Sequence, residues 1–283
     1  MAKVRMGMVG GGEGAFIGGI HRMAAAMDGE IELVCGAFSG DPERSARSGA
    51  MLYLEPERVY GDYRQMMSAE AALPADQRMQ FVAIVTPNDL HFPVAEAALG
   101  AGFHVLSDKP ATLSLAQALQ LRERVRDSGL LYGLTHTYTG YPLVKEARER
   151  ISRGELGKIR KVVVEYTQGW LADRQEDLGN KQASWRLNPA QAGVSSCMGD
   201  IGVHAANLAE YVSGLNITEV CADLSAFVEG RELDDDGSIL LRLERGAKGV
   251  LMASQVCVGE ENALSLRIYG ENGGLEWRQQ EPN

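Results

Sequence analysis

Four clusters of residues in this chain could carry chemistry. The first is Gly199-Asp200-Ile201-Gly202-Val203-His204. On a helix, Asp200 and His204 stand four apart and share one face. A carboxylate beside an imidazole holds its tautomer and equips it as a general base near neutral pH. The second is Ser107-Asp108-Lys109-Pro110, where a lysine and an acid are fixed against a proline. A cis bond before Pro110 would aim Lys109 sharply into a crevice; the competing reading is a solvated loop lysine. The third is Val9-Gly10-Gly11-Gly12-Glu13-Gly14-Ala15-Phe16-Ile17-Gly18. Its Gly10-x-Gly12-x-x-Ala15 fits the dinucleotide fingerprint, in which small residues permit a tight turn and close approach of a pyrophosphate to a helix N-terminus. A plain strand-to-helix turn is the alternative, but it does not need six glycines between Gly10 and Gly19. The register within this loop stays open, because the stretch from Gly12 to Gly18 reads as enlarged. The fourth is Thr86-Pro87-Asn88-Asp89-Leu90-His91. Asn88 could meet a ribose or a nicotinamide; His91 could cap the following helix or simply be a satisfied histidine at its start. His104, within a strand, and His136, at a domain junction, are less telling.

These clusters need elements to aim them. Short apolar runs at 4–9, 31–39, 81–85, 103–106 and 130–134 predict strands, and 17–28, 93–100 and 112–128 predict helices. Another helix starts at Pro42 behind an Asp41 cap. The continuous run 81–85 is expected of a strand buried on both faces of a parallel sheet. Strands spaced by helices imply a doubly wound sheet, whose carboxyl edge binds ligands, and both Thr86 and Ser107 fall at that edge. Past 136 the grammar changes. One amphipathic helix at 142–153 and another at 201–213 accompany strands at 158–170, 217–228, 238–245, 248–258 and 263–270, with a loop-rich stretch at 171–196. The expected organisation is an α/β chain: a Rossmann-like domain over 1–136 and an α+β domain with a mostly antiparallel sheet over 137–283. The hairpin at 270–277 runs to Asn283 without a closing helix, so the second domain reads as incomplete.

Composition excludes several function classes. The 283 residues (30.6 kDa) carry 28 Lys and Arg against 38 Asp and Glu, hence a net charge of −10 and a pI near 5.1. Nucleic-acid binding wants a concentrated basic face, and none is visible. No apolar run approaches the ~18 residues of a membrane span. The N-terminus moves straight into a strand without a targeting segment. Cys35, Cys197, Cys221 and Cys257 are scattered in apolar contexts, with no CxxC pair and no metal-ligand spacing, so buried thiols in a reducing compartment are expected. Together these features predict a soluble cytoplasmic protein without a metal.

Taken in order and spacing, the glycine loop, Thr86-Pro-Asn-x-Leu-His91, Asp108-Lys-Pro110 and Asp200-x-Gly-x-His204 resemble the glucose–fructose oxidoreductase/inositol dehydrogenase/rhizopine-catabolism (Gfo/Idh/MocA) family. Gly154-Glu-Leu-Gly-Lys-Ile159 and Gly273-Gly-Leu-Glu-Trp277 add to the likeness, which covers essentially the whole chain. The resemblance implies an N-terminal Rossmann domain and a C-terminal open-faced sheet used for oligomer contacts. It also implies NAD(P)-dependent oxidation of a secondary alcohol on a sugar, cyclitol or related polyol. The family's catalytic lysine, aspartate and histidine map onto Lys109, Asp200 and His204. His204 would be the base, Lys109 would stabilise the developing oxyanion, and Asp200 would orient His204 or a substrate hydroxyl. Gly10, Gly12, Glu13, Gly14, Ala15, Phe16, Ile17, Ser39, Arg44, Thr86, Pro87, Asn88, His91, Asp108 and Lys109 would hold the dinucleotide. Tyr138, Trp185 and Arg186, with Trp170, are candidate substrate contacts, plain packing being the alternative for each. The chain departs from the family in Asp108, where glutamate is usual, in about three extra loop residues, and in a shorter C-terminus.

Two further expectations concern the cofactor and the assembly. An NAD enzyme usually ends its second strand with an acid that accepts from the ribose 2′-hydroxyl. Here Phe38 stands at that point, followed by Ser39 and, in the next helix, Arg44, which suit a 2′-phosphate and favour NADP. The opposing reading lets Asp41 swing toward the ribose. The strands at 218–228 and 248–258 carry apolar residues on both faces, which predicts a homodimer or homotetramer. Two alternative functions accompany the dehydrogenase reading: nicotinamide-dependent glycoside cleavage without net redox change, and a non-catalytic dinucleotide sensor.

Overall fold

The computed structural model describes residues 3–282 and divides the chain between Thr135 and His136 into two compact units. The first alternates strands and helices: β1 Val4–Gly10, α1 Ile17–Ala26, β2 Ile31–Ala37, α2 Pro42–Met51, α3 Tyr63–Ala72, β3 Phe81–Val85, α4 His91–Gly100, β4 His104–Ser107, α5 Leu115–Ser128 and β5 Tyr132–Leu134. The five strands form a parallel sheet in the order β2-β1-β3-β4-β5. The chain runs outward from β1 in one direction through β2, then crosses to β3 on the other side. That reversal opens a crevice at the carboxyl ends of β1 and β3, where a doubly wound fold binds its ligand. In β3, Val82, Ala83 and Ile84 are wholly buried, because helices cover both faces of a parallel sheet.

Local signals explain most boundaries. The Asp41 carboxylate accepts from Glu43 N and Arg44 N and starts α2. Gly129, at φ 66°, ends α5 in the left-handed region. Helix α3 is not foreseen by the sequence. Its buried face carries Glu70, which takes both Arg58 Nε and Nη2 at 2.7 Å, together with Tyr60 Oη and Met79 N. A wholly buried carboxylate is tolerated there because every oxygen is satisfied.

The second unit comprises α6 Pro142–Ser152, β6 Lys161–Thr167, α7 Lys181–Arg186, α8 Pro189–Ala192, α9 Val203–Ser213, β7 Ile217–Ser225, β8 Asp236–Leu243, β9 Lys248–Ser254, β10 Ala263–Tyr269 and β11 Gly274–Arg278. Its six-stranded sheet runs β11-β10-β6-β9-β8-β7 and is antiparallel except where β6 meets β9. One face buries Val162, Val164, Leu251, Leu264, Leu266 and Ile268 beneath Val144 of α6 and Ala205, Leu208 and Val212 of α9. On the other face the register lines up Cys221, Leu240, Val250 and Val163 in one row that ends at Arg267, flanked by rows holding Arg242 and Glu165. Among the described residues no helix of this unit covers that row, and Leu240 is 62% exposed. The loop-rich stretch 171–196 also contains the short helices α7 and α8, capped by Asn180 and Asn188. The cysteine expectation holds for Cys35 and Cys197, which are buried. It fails for Cys221, exposed on edge strand β7, and for half-buried Cys257. None of the described helices is long and apolar enough to cross a membrane.

Candidate active site

In the first unit the glycine loop leaves β1 at the crevice. Gly10, the last residue of β1, adopts φ +83°, and a Cβ there would lie 2.7 Å from Val85 O of the neighbouring β3, so the end of the strand admits no side chain. At Gly12 a Cβ would meet Ser48 Oγ at 2.7 Å and Phe38 O at 2.8 Å. The structure resolves the open register. Gly18, in the first turn of α1, packs directly on Gly11, since a Cβ there would stand 2.4 Å from Gly11 Cα. Close helix–strand contact therefore belongs to Gly18, and Ala15 is instead tied within the loop, donating to Gly12 O at 3.0 Å. Glu13 N donates to Ser48 Oγ, Arg22 Nη1 donates to Gly11 O, and Gly14 at φ +74° faces open space. Phe16 is exposed and Ile17 begins α1. A cradle of backbone too tight for side chains, opening at a helix N-terminus, fits a dinucleotide pyrophosphate.

At the end of β3 the Thr86 hydroxyl is buried without a hydrogen-bond partner among the described residues, and Asn88 is buried. An orphaned hydroxyl at this edge is what a bound ribose or nicotinamide would satisfy. His91 does not cap α4. The ring is 1% exposed and bridges two backbone carbonyls, Pro110 O from Nδ1 at 2.6 Å and Thr86 O from Nε2 at 3.0 Å. It thereby ties the loop after β3, which contains Pro87, to the loop after β4. In that second loop the Lys109–Pro110 bond is cis. Asp108 accepts from Thr135 Oγ1 at 2.6 Å and from Lys109 N at 3.1 Å. His21 of α1 is held below the ordinary imidazole range by burial, which outweighs the pull of Asp108. At the β2 end, Ser39 Oγ accepts from Asp41 N, and Arg44 is exposed on α2. The Asp41 carboxylate caps α2 through Oδ1.

The second unit holds the other cluster. Asp200 does not sit in a regular helix with His204: it lies in a π-helical turn, Met198–Gly202, that runs into α9, where His204 falls in the first turn. Such turns are rare and concentrate at functional sites. The Asp200 Oδ2 atom accepts from Arg186 Nε and from Gln255 Nε2, each at 3.0 Å. The Arg186 guanidinium also lies 4.2 Å over the Trp185 ring. Around His204 stand three rings: Tyr138 at 5.0 Å and His136 at 5.7 Å between centroids, both edge-on, and Tyr166 at 6.4 Å. The Tyr138 and Tyr166 hydroxyls share a short hydrogen bond, and Tyr166 Oη also donates to Asn262 Oδ1 at 2.6 Å. Burial first, and then the neighbouring Tyr138, push the Tyr166 phenol above its ordinary range, so it serves as a neutral hydrogen-bonding group. The network continues through Gln168 to Trp170 Nε1 and to Gln255.

Within this unit Asp200, His204, Arg186, Tyr138 and Trp185 thus converge, as does Trp170 through Gln168. Sequence reasoning missed Tyr166, Gln168, Gln255 and Asn262. Their one local signal is polarity at strand ends, as in Gln255 directly after the apolar run of β9. Among the described residues no group of three or more His, Cys, Asp or Glu is arranged to hold a metal ion.

Comparison with known proteins agrees with this arrangement. Residues 4–136 match the sequence model of the oxidoreductase family with an NAD-binding Rossmann fold, and residues 144–276 match the GFO/IDH/MocA C-terminal domain. The uncharacterized oxidoreductase YfiI of Bacillus subtilis (strain 168) is 32% identical over 99% of this chain and 72% of its own. Levoglucosan dehydrogenase of Pseudarthrobacter phenanthrenivorans is 27% identical over 97% of this chain and 73% of its own. Among solved structures, an inositol dehydrogenase homolog from Azotobacter vinelandii complexed with NAD+ superposes with a TM-score of 0.96 at 37% identity, covering 100% of this chain and 72% of that one. With both its sheets accounted for in this way, the chain belongs to the Gfo/Idh/MocA family of NAD-binding oxidoreductases.

Proposed function

We propose that the protein is an NAD(P)-dependent dehydrogenase that oxidises a secondary alcohol of a sugar, cyclitol or related polyol, or reduces the matching ketone. The observation that carries this reading is the single element presenting both Asp200 and His204, with Asp200 fixed by Arg186 and Gln255 and His204 ringed by Tyr138, Tyr166 and His136. A bound dinucleotide supplies the acceptor for the hydride that leaves the carbinol carbon. The protein supplies the rest. His204 takes the hydroxyl proton as general base. Lys109, as a cation, donates to the same oxygen and stabilises its growing negative charge. Asp200 orients His204 or a neighbouring substrate hydroxyl, and Arg186, Tyr138, Trp185 and Trp170 offer the donors and flat apolar faces that sugar rings favour.

The loop residues Gly10, Gly12, Glu13, Gly14, Ala15, Phe16 and Ile17 receive the pyrophosphate in this reading, with Thr86, Pro87, Asn88, His91, Asp108 and Lys109 lining the nicotinamide side. We infer a preference for NADP. Buried Phe38 stands at the end of β2 where an acid would read a ribose 2′-hydroxyl, and Asp41 uses its Oδ1 to cap α2. Ser39 and Arg44 are the donors nearest in sequence, and Arg44 enters no ion pair among the described residues, whereas Arg47 faces Glu13 at 3.6 Å. The uncovered sheet face, with its row of Leu240, Val250 and Cys221, supports a homodimer or homotetramer, to be read by light scattering at micromolar concentration. A cytoplasmic setting belongs to the same reading.

The test is a panel of sugars and cyclitols offered with NAD and with NADP, following nicotinamide absorbance. The panel includes levoglucosan and myo-inositol, which are bound in solved relatives. Accumulation of reduced nicotinamide with one polyol class is expected. Dinucleotide binding without reduction by any member, or glycoside cleavage without net reduction, refutes the reading.

A further inference from the structure

One buried carboxylate in the second unit has no part in the chemistry described so far. Asp234, just before β8, is 9% exposed. Its two carboxylate oxygens accept from Ser196 N at 3.0 Å and Met198 N at 2.8 Å, and its own carbonyl accepts from Cys197 N at 3.0 Å. Three successive backbone amides are therefore held by one residue. They immediately precede or begin the π-helical turn that carries Asp200, and the turn closes on the same segment, with Asp200 N donating to Ser196 O at 2.8 Å. The opening amides of any helix lack intrahelical partners. Here a residue 38 positions away supplies them.

The neighbouring residue anchors Asp234 from behind. Asp235 is wholly buried, accepts from Phe227 N and Val228 N, and pairs with Arg231 at 3.2 Å. Arg231 also pairs with Glu176 at 3.1 Å and donates to Leu171 O at 2.7 Å. A second route leads back to the same carboxylate. The Asp235 carbonyl accepts from Gln255 N at 2.9 Å, and the Gln255 side chain donates to Asp200 Oδ2. The Asp234–Asp235 pair thus fixes Asp200 both through the backbone of its turn and through the amide that grips its carboxylate.

We propose that Asp234 is a positioning residue for Asp200, setting the start of the π-helical turn so that Asp200 meets Arg186 and Gln255; this deepens the dehydrogenase reading and rests on it. Without the two carboxylate contacts only the Cys197 N bond to the Asp234 carbonyl remains, and the segment is free to rewind toward a regular α-helix, which turns Asp200 about the helix axis and away from its partners. A displacement of about 1 Å at a reacting centre costs on the order of 10²-fold in rate.

The experiment compares Asp234→Ala, Asp234→Asn and Gln255→Leu with the wild type in kcat, polyol KM, dinucleotide Kd and backbone amide exchange. Asp234→Ala is expected to lower kcat by about 10²-fold, with polyol KM and dinucleotide Kd within about threefold, and to raise exchange at 196–200 while the later turns of α9 stay protected. Asp234→Asn keeps one acceptor oxygen and is expected to recover at least about tenfold of that loss. If Asp234→Ala does not fold, Asp234→Asn and Gln255→Leu carry the same comparison. Unchanged exchange at 196–200, or kcat within about threefold of wild type in a folded variant, overturns the proposal. So does a kcat loss matched by an equal loss of dinucleotide affinity. A wild type that binds dinucleotide and oxidises no polyol refutes the dehydrogenase reading instead, and the exchange data then still decide whether Asp234 holds the turn.

Discussion

Replacing His91 with phenylalanine isolates what the histidine bridge contributes to the first unit. A planar ring is kept, so no cavity forms and the loss of the two ring nitrogens is the main change, the slightly larger phenyl adding to the cost. Two backbone carbonyls, Thr86 O and Pro110 O, lose their contacts at 3.0 and 2.6 Å inside a site that is 1% exposed. A buried carbonyl without a partner costs about 1–3 kcal/mol. A neutral imidazole donates at one nitrogen and an imidazolium at both, so the loss is one or two such penalties, or about 2–4 kcal/mol at a middle value of about 2 kcal/mol each. With a urea m-value of about 2 kcal/mol/M, the midpoint falls by about 1–2 M. Far-UV circular dichroism follows both units, whereas Trp170, Trp185 and Trp277 all lie in the second, so fluorescence reports that unit separately. Dinucleotide affinity is expected to fall by tenfold or more, about 1.4 kcal/mol, because the bridge joins the two loops that line the proposed nicotinamide side. A midpoint shift below about 0.3 M would refute the reasoning, and the two carbonyls would then be satisfied by water.

Lys109→Ala and His204→Ala are each expected to lower kcat by about 10²–10⁴-fold with dinucleotide affinity within a few-fold; steady-state kinetics and cofactor titration check both. Ser39→Asp and Arg44→Ala should each erode a preference for NADP over NAD by about tenfold or more, measured by titrating both dinucleotides. Tighter NAD binding by the wild type, with Arg44→Ala silent, removes the assignment. In thiol-reagent kinetics on the native protein, Cys221 should react first, because Cys35 and Cys197 are buried and burial pushes both thiols well above the ordinary range.

Much of the fold was legible because its signals are local. The apolar run of β3, the Asp41-Pro42 start of α2 and the alternation of strand and helix before Thr135 each depend on neighbours in sequence. Helix α3 was missed because Glu70 interrupts its apolar face, and the reason a carboxylate belongs there, Arg58 and Tyr60, lies outside the helix. The order of the glycine loop was undecidable from glycines alone: that Gly18 rather than Ala15 packs on Gly11, just past β1, is a contact seven residues apart that spacing does not reveal. At the second cluster the spacing of Asp200 and His204 suggested a regular helix, whereas contacts with a residue 38 positions away accompany a π-helical turn. Gln168, Gln255 and Asn262 are polar residues with partners 55 to 124 positions off, and no window along the chain displays such pairings.

The order of strands in the second sheet has a consequence for how the protein is made. Strand β6 is the first of its sheet to leave the ribosome, yet it occupies the interior, and its two neighbours are β9 and β10. Both its edges must wait for roughly a hundred residues of later chain, and closing such distant contacts is slow. Until Ala263–Tyr269 emerges, β6 offers unpaired backbone along one side, and Val162 and Val164 lack part of their cover. That interval is when a growing chain is most open to pairing with the wrong strand. Asn262, which accepts from Tyr166, directly precedes that late segment, so the aromatic wall around His204 also waits for distant chain to complete its hydrogen bonds.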